Sequence, residues 1–220
     1  TERTYNKLID DNYVEHKQVE GTSCINTNTK NVRIIERCGS YTNVYFTKRT
    51  LEIDTKPHSE QKEIIDSVTE IYKRKKFAIV IIQGNPGTGK SMVSFLLANS
   101  LNGHYCNSLK PWSPGEKISN LYNEFEITND KPLIIAFDEF DIPLKEINDG
   151  IPYHQNVPTS VTNKQGWNQM LDEIQKGMFP NLIIVMTTNK NLDLIKSMDE
   201  SYIRKGRIDE IYTMTNLILT

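Results

Sequence analysis

Gly84-Asn85-Pro86-Gly87-Thr88-Gly89-Lys90-Ser91 places two glycines, a lysine and a hydroxyl at the G-x-x-x-x-G-K-[ST] spacing, directly after the apolar run Phe77-Ala78-Ile79-Val80-Ile81-Ile82. Each residue type has a chemical reason to be there. Glycines admit positive φ and let backbone N–H groups close around anionic oxygens, and the N-terminus of the next helix adds its own donors and dipole. Lys90 supplies a point charge between two phosphates, the Ser91 hydroxyl can enter a Mg²⁺ shell, and the lining extends to Met92 in the first helical turn. The segment reads as a P-loop that takes a nucleoside triphosphate with Mg²⁺.

Two further groups stand at the ends of apolar runs. Leu133-Ile134-Ile135-Ala136-Phe137 delivers Asp138 and Glu139, and Leu182-Ile183-Ile184-Val185-Met186 delivers Thr187-Thr188-Asn189. In open α/β folds ligands bind at the carboxyl ends of the strands, so Asp138 is placed to hold Mg²⁺ and Glu139 to orient and polarise an attacking water. Asn189 fits either a hydrogen bond to phosphate and water or an ordinary turn at a strand end. Farther on, Arg204 and Arg207 flank Gly206, which suits either multidentate phosphate recognition or a charged surface turn.

The elements that must position these groups follow from periodicity. The three apolar runs have the length and β-branched content of parallel strands buried on both faces. Ile118, Leu121, Tyr122 and Phe125, and then Trp167, Met170, Leu171 and Ile174, repeat at helical spacing. Strands alternating with helices predict an α/β fold with a parallel sheet covered on both faces. Ser59 is the expected N-cap of a helix over 59–75, which ends in the basic run Lys73-Arg74-Lys75-Lys76, read as a solvated helix end. Residues 31–53 carry two β-rich runs around Gly39-Ser40 and predict a hairpin, while 1–31 are polar and aperiodic. Residues 142–165, with Pro143, Gly150, Pro152 and Pro158, predict a long functional loop.

Composition narrows the classes. With 37% hydrophobic and 25% charged residues the chain has globular composition, and it contains no apolar run near the roughly 20 residues of a membrane-spanning helix. A formal charge of -2 removes the whole-chain electrostatic case for a nucleic-acid or membrane-surface binder. Cys24, Cys38 and Cys106 have no metal-knuckle or disulfide-framework spacing, so they are expected to be thiols in a reducing intracellular compartment, the cytoplasm first. The N-terminus has neither an initiator Met nor an apolar signal segment, as in an excised fragment.

Together these motifs and their order resemble the AAA+ ATPases, specifically the classical AAA clade, from about Leu51 onward. GNPGTGKS is close to the clade's GPPGTGKS, FDEFD to its Walker B, and MTTNKN followed by YIRKGRID to its sensor-1 and arginine-finger region. The hairpin-like stretch and the spacing through TTNKNLD look most like the AAA proteins that translocate or assemble a mitochondrial respiratory-chain subunit. The resemblance implies a three-layer αβα P-loop NTPase core at 53–220 behind an arm with a hairpin at 1–52, and ATP with Mg²⁺ as cofactors. It makes Asn189 sensor 1 and turns Arg204 and Arg207 into fingers that reach the ATP of a neighbouring copy. It therefore implies a homo-oligomeric ring, usually a hexamer, that hydrolyses ATP and remodels or translocates a protein client. Trp112, four residues before Glu116, lies near the family's pore-loop aromatic and fits either a substrate grip or a packed residue. Lys205 replaces the family's common proline, and 13 residues follow Arg207 where the family continues into a helical lid, which is expected to be truncated or missing here.

A nucleic-acid-directed AAA+ protein, such as a loader or replication ATPase using the basic run, is the alternative reading. A nucleotide-binding scaffold without turnover is opposed by Lys90 and Glu139, and a small-molecule kinase gives the Asn189, Arg204 and Arg207 order no purpose.

Overall fold

The computed structural model describes residues 30–216. Its sheet is built from β1 (Lys30–Cys38), β2 (Tyr45–Ile53), β3 (Phe77–Gly84), β4 (His104–Cys106), β5 (Leu133–Phe137), β6 (Leu182–Thr188) and β7 (Glu210–Met214) in the order β2-β1-β4-β5-β6-β3-β7. Every neighbouring pair is parallel except the β1–β2 hairpin. The helices are α1 (Ser59–Lys75), α2 (Lys90–Ser100), α3 (Ile118–Glu124), α4 (Asp141–Asp149), α5 (Lys164–Gln175) and α6 (Leu192–Met198). None of the described helices is long and apolar enough to cross a membrane.

Period-two alternation along the buried strands divides the core into two layers. Ile79, Ile81, Ile135, Phe137, Ile184 and Met186 face α4 and α5, where Phe140, Leu144, Trp167, Leu171 and Ile174 meet them. Ala78, Val80, Ile82, Ile134, Ala136 and Val185 face α1 and α2, against Ile64, Ile65, Val68, Val93 and Leu97. This is the expected three-layer α/β arrangement. Each of these large side chains contributes about 1.5–3 kcal/mol by leaving water.

Several expectations change. The hairpin forms, with Cys38 opposite Tyr45 and Lys30 opposite Ile53, but β1 also pairs in parallel with β4 through Arg33–His104 and Ile34–Tyr105. Val32 and Ile34 of the hairpin, with Ile53, are in the core with α1. Residues 1–29, and Cys24 among them, lie outside the described residues. The N-cap of α1 is His58 rather than Ser59, and the Gln61 side chain accepts its N–H at 3.0 Å. The stretch expected as a loop from 142 begins as α4, because Pro143 falls in a first turn that needs no N–H from it, while Leu144 and Ile147 are buried one turn apart. The rest, 150–163, is tied down by Ile151 N–H to the Thr162 carbonyl at 2.7 Å and Val161 N–H to the Pro111 carbonyl at 3.0 Å.

Trp112 packs edge-on against Phe137 at 5.2 Å between ring centroids and lies 6.5 Å from Trp167, so of the two roles it fits the packed one. The basic run is a solvated helix end, with Lys73, Arg74 and Lys76 exposed and Lys75 turned toward the chain. Lys73 pairs with Glu70 at 3.2 Å, Lys75 pairs with Asp209 and lies over the Phe77 ring, and Lys76 donates to the Asn129 side chain at 2.8 Å.

His104, 3% exposed on β4, is pushed down to about 4 by burial, with Arg33, Lys48 and Lys131 adding to it. The folded chain thus keeps this ring neutral where the unfolded chain takes up a proton. Stability is complete above pH about 6.5 and should fall as pH drops toward 4, by about 1.4 kcal/mol per pH unit for one proton. In urea unfolding at pH 7 and pH 5, His104→Phe should reduce the difference between the two midpoints relative to wild type.

Candidate active site

The P-loop joins the end of β3 to α2. Gly84 sits at φ +155°, and a Cβ there would collide with the Met214 carbonyl of β7, so the turn can form only with glycine. Gly87 and Gly89 have φ of +83° and +80°, in the left-handed region where a side chain is strained. The Thr88 hydroxyl donates to the Asn85 carbonyl at 2.9 Å and closes the loop on itself. Lys90, buried, donates from Nζ to the Gly84 and Asn85 carbonyls at 2.8 and 2.7 Å. Burial lowers its pKa, and the nearby Glu139 and Asp138 carboxylates oppose that shift.

Strand β6 lies between β3 and β5, and this places its end between the P-loop and the acids. The buried Thr187 hydroxyl donates to Asp138 Oδ1 at 2.8 Å and accepts the Glu139 N–H at 3.3 Å. The Thr188 hydroxyl donates to Asp141 Oδ1 at 2.6 Å and accepts from the Lys190 N–H at 3.0 Å. Asn189 Nδ2 donates to Glu139 Oε1 at 3.1 Å. Glu139 has φ +49°, a left-handed conformation costing on the order of 1–3 kcal/mol in a residue with a Cβ, and the surrounding bonds hold it there. A cavity of about 370 Å³ is lined by Pro86, Gly87, Gly89, Lys90, Ser91, Met92, Glu139, Thr187 and Asn189. Loop N–H groups, a buried ammonium, the Ser91 hydroxyl and the exposed Asp138 carboxylate form a donor set suited to phosphates and a hard divalent cation.

The family described as ATPase family associated with various cellular activities (AAA) matches residues 80–216, a span that begins within β3 and takes in the P-loop, the acids and both arginines. The chain belongs to the AAA family. Among solved structures it is similar to the Aeropyrum pernix ORC2 protein in its ADPNP-ADP complexes, at 9% identity and a TM-score of 0.45. That match covers 71% of this chain and 46% of the other. No curated protein matches the chain.

In this AAA domain the arginines stand apart from the phosphate cradle. The Asp209 N–H donates to the Ile79 carbonyl at 2.8 Å, and β7 then runs parallel to β3 from Val80 opposite Glu210. The segment that follows the Arg204 turn therefore meets β3 at Ile79, near its amino end, while the P-loop leaves its carboxyl end at Gly84, about 17 Å farther along the strand at 3.3 Å per residue. Arg204 is exposed. Arg207 is buried, and its Nε and Nη2 grip the two carboxylate oxygens of Asp172 at 2.7 and 3.0 Å while Nη1 donates to the Ser201 carbonyl. That pairing holds the Asp172 carboxyl below its ordinary pKa. Of the two arginines expected as fingers, Arg204 faces solvent and Arg207 is turned inward by a bidentate partner.

Three residues that hold the site belong to no motif. Thr187 and Thr188 are polar residues at the end of a buried strand, which obliges each hydroxyl to find a partner. Gln61 occupies the i position of the apolar 61, 64, 65, 68 stripe of α1 and is 1% exposed. Its Nε2 donates to the Gly89 carbonyl at 3.0 Å, joining α1 to the end of the P-loop. In each case the readable signal was a polar side chain at a core position.

Thr187→Val keeps the shape and removes the bonds to Asp138 and Glu139. A hydrogen bond to a charged group is worth about 1.5 kcal/mol, so steady-state ATP hydrolysis should fall about tenfold. Titration with a fluorescent ATP analogue should show that binding persists in Thr187→Val and is lost in Lys90→Ala.

Proposed function

We propose that this AAA domain hydrolyses ATP in sites shared between copies of the chain in a ring, and that the ring remodels or translocates a protein client. The observation that carries the proposal is the placement of Arg204 and the P-loop at opposite edges of one parallel sheet. An exposed arginine at the edge of the sheet away from its own phosphate cradle is available to the cradle of another copy.

Within one copy, the loop N–H groups and Lys90 bind the phosphates, and Ser91 and Asp138 would hold Mg²⁺, which when bound offsets phosphate charge. Glu139 takes the proton of the attacking water at a carboxylate oxygen. Asn189, donating to Glu139 Oε1, holds that carboxylate at the cavity wall. Arg204 of the next copy stabilises the charge that develops on the transferred phosphoryl group, a role worth about a thousandfold or more in rate. A protein client is favoured over nucleic acid because the chain carries a formal charge of only -2 and Lys75 is paired with Asp209 within the chain. The thiols Cys38 and Cys106, both free, suit a reducing compartment such as the cytoplasm.

ATP turnover per subunit should rise with protein concentration. Arg204→Ala should lower it about a thousandfold or more while leaving ATP binding intact. A one-to-one mixture of Arg204→Ala with Glu139→Gln should recover activity above either alone, since each supplies the half that the other lacks. Concentration-independent turnover that ignores Arg204 would mean a site complete within one chain.

A further inference from the structure

The turn that carries Arg204 has little of its own to hold it. Within it, the Arg204 carbonyl accepts from the Arg207 and Ile208 N–H groups at 3.1 and 3.3 Å, and Gly206 supplies φ +93°. A finger that must meet a developing charge needs its backbone fixed to within about half an ångström, so the restraint has to come from outside the turn.

Gln175, the last residue of α5, is where that restraint converges. Its Nε2 donates to the Arg207 carbonyl at 2.8 Å and to Asp209 Oδ1 at 3.3 Å, and its Oε1 accepts from Lys75 Nζ at 2.8 Å. The other Asp209 oxygen accepts the Ile79 N–H at 2.8 Å, which ties the same cluster to the P-loop strand β3. One amide therefore joins α5, the end of α1 and the segment between Arg204 and β7. Only an amide fits, because the site needs two donations and one acceptance from a single side chain. A carboxylate there would face Asp209 and could not donate to the Arg207 carbonyl. Asp172 of the same helix holds the Arg207 side chain, so α5 grips this residue by both its backbone and its side chain.

We propose that Gln175 is a positioning residue that fixes the turn presenting Arg204 to the neighbouring copy, acting through the Arg207 carbonyl and Asp209. The proposal rests on Arg204 acting between copies. It assigns Gln175 an effect on its neighbour's catalysis and none on its own nucleotide binding.

The test uses the full chain and four variants: Gln175→Leu, Gln175→Met, Arg204→Ala and Glu139→Gln. Gln175→Leu removes all three hydrogen bonds and leaves the Lys75–Asp209 ion pair. It should lower kcat about tenfold, a displaced rather than deleted finger, with KM for ATP and affinity for a non-hydrolysable ATP analogue within about twofold of wild type. Mixed one to one with Glu139→Gln, it should recover activity, because the Glu139→Gln copies lend a well-held Arg204 to intact sites. Gln175→Met, unbranched and close in shape, should behave the same way and serves if the leucine variant fails to fold. If Gln175→Leu and Gln175→Met keep wild-type kcat while Arg204→Ala loses it, Gln175 does not position the turn, although the shared site stands. A fall in kcat with no recovery in the mixture places the defect outside the donor face and also overturns the assignment. Wild-type turnover in Arg204→Ala removes the shared site itself, and the role of Gln175 with it.

Discussion

The common direction of six strands is the constraint on which the rest depends. In a parallel sheet all carboxyl ends share one edge, so β3, β5 and β6 deliver the P-loop, Glu139 and Asn189 to one cavity, with Asp138 beside it. The same polarity sends the segment before β7 to the other edge, and Arg204 goes with it. Separation of the arginine from the phosphate cradle is thus a property of strand direction, and the proposed sharing of a site between copies starts from it. The central position of β6 adds the finer placement, since a strand bonded to β3 on one side and β5 on the other can hold both loops.

Around this frame the functional groups are held by polar side chains that the core leaves no choice but to pair. Thr187 fixes Asp138 and the Glu139 backbone, Thr188 fixes the start of α4 through Asp141, and Gln61 holds the Gly89 carbonyl. Glu116, also buried, pairs with Arg37 at 3.0 Å and accepts the Lys110 N–H at 2.7 Å, and its own carbonyl accepts the Ser160 hydroxyl. It thereby stitches β1, the segment after β4 and the 150–163 loop together. An unpaired polar group at such a position costs about 1–3 kcal/mol, and a single partner arrangement satisfies each. The apolar layers make the domain stable, while these bonds specify where its loops sit.

Much of this was legible from residue order. The P-loop spacing, the acids after a buried run and the amide after another all lie within a few residues of an element whose period is visible. The helices at 118, 164 and 59 emerged where Ile118 and Leu121, Trp167 and Leu171, and Ile64 and Val68 repeat. What was hidden involves partners far apart in the chain. The hairpin was readable, but its membership in the main sheet depends on Arg33 meeting His104, 71 residues later. Arg207 reads as a free cation beside Arg204, yet Asp172, 35 residues earlier, turns it inward.

The sequence by itself determined the P-loop and the local elements, because side-chain periodicity and backbone permissiveness act over one turn or one strand. Tertiary structure alone decided which edge of the sheet each group occupies, which arginine faces solvent and which polar side chains hold the loops. Those outcomes depend on pairings between distant segments, whose free energy is a property of the packed whole and leaves no mark on local spacing.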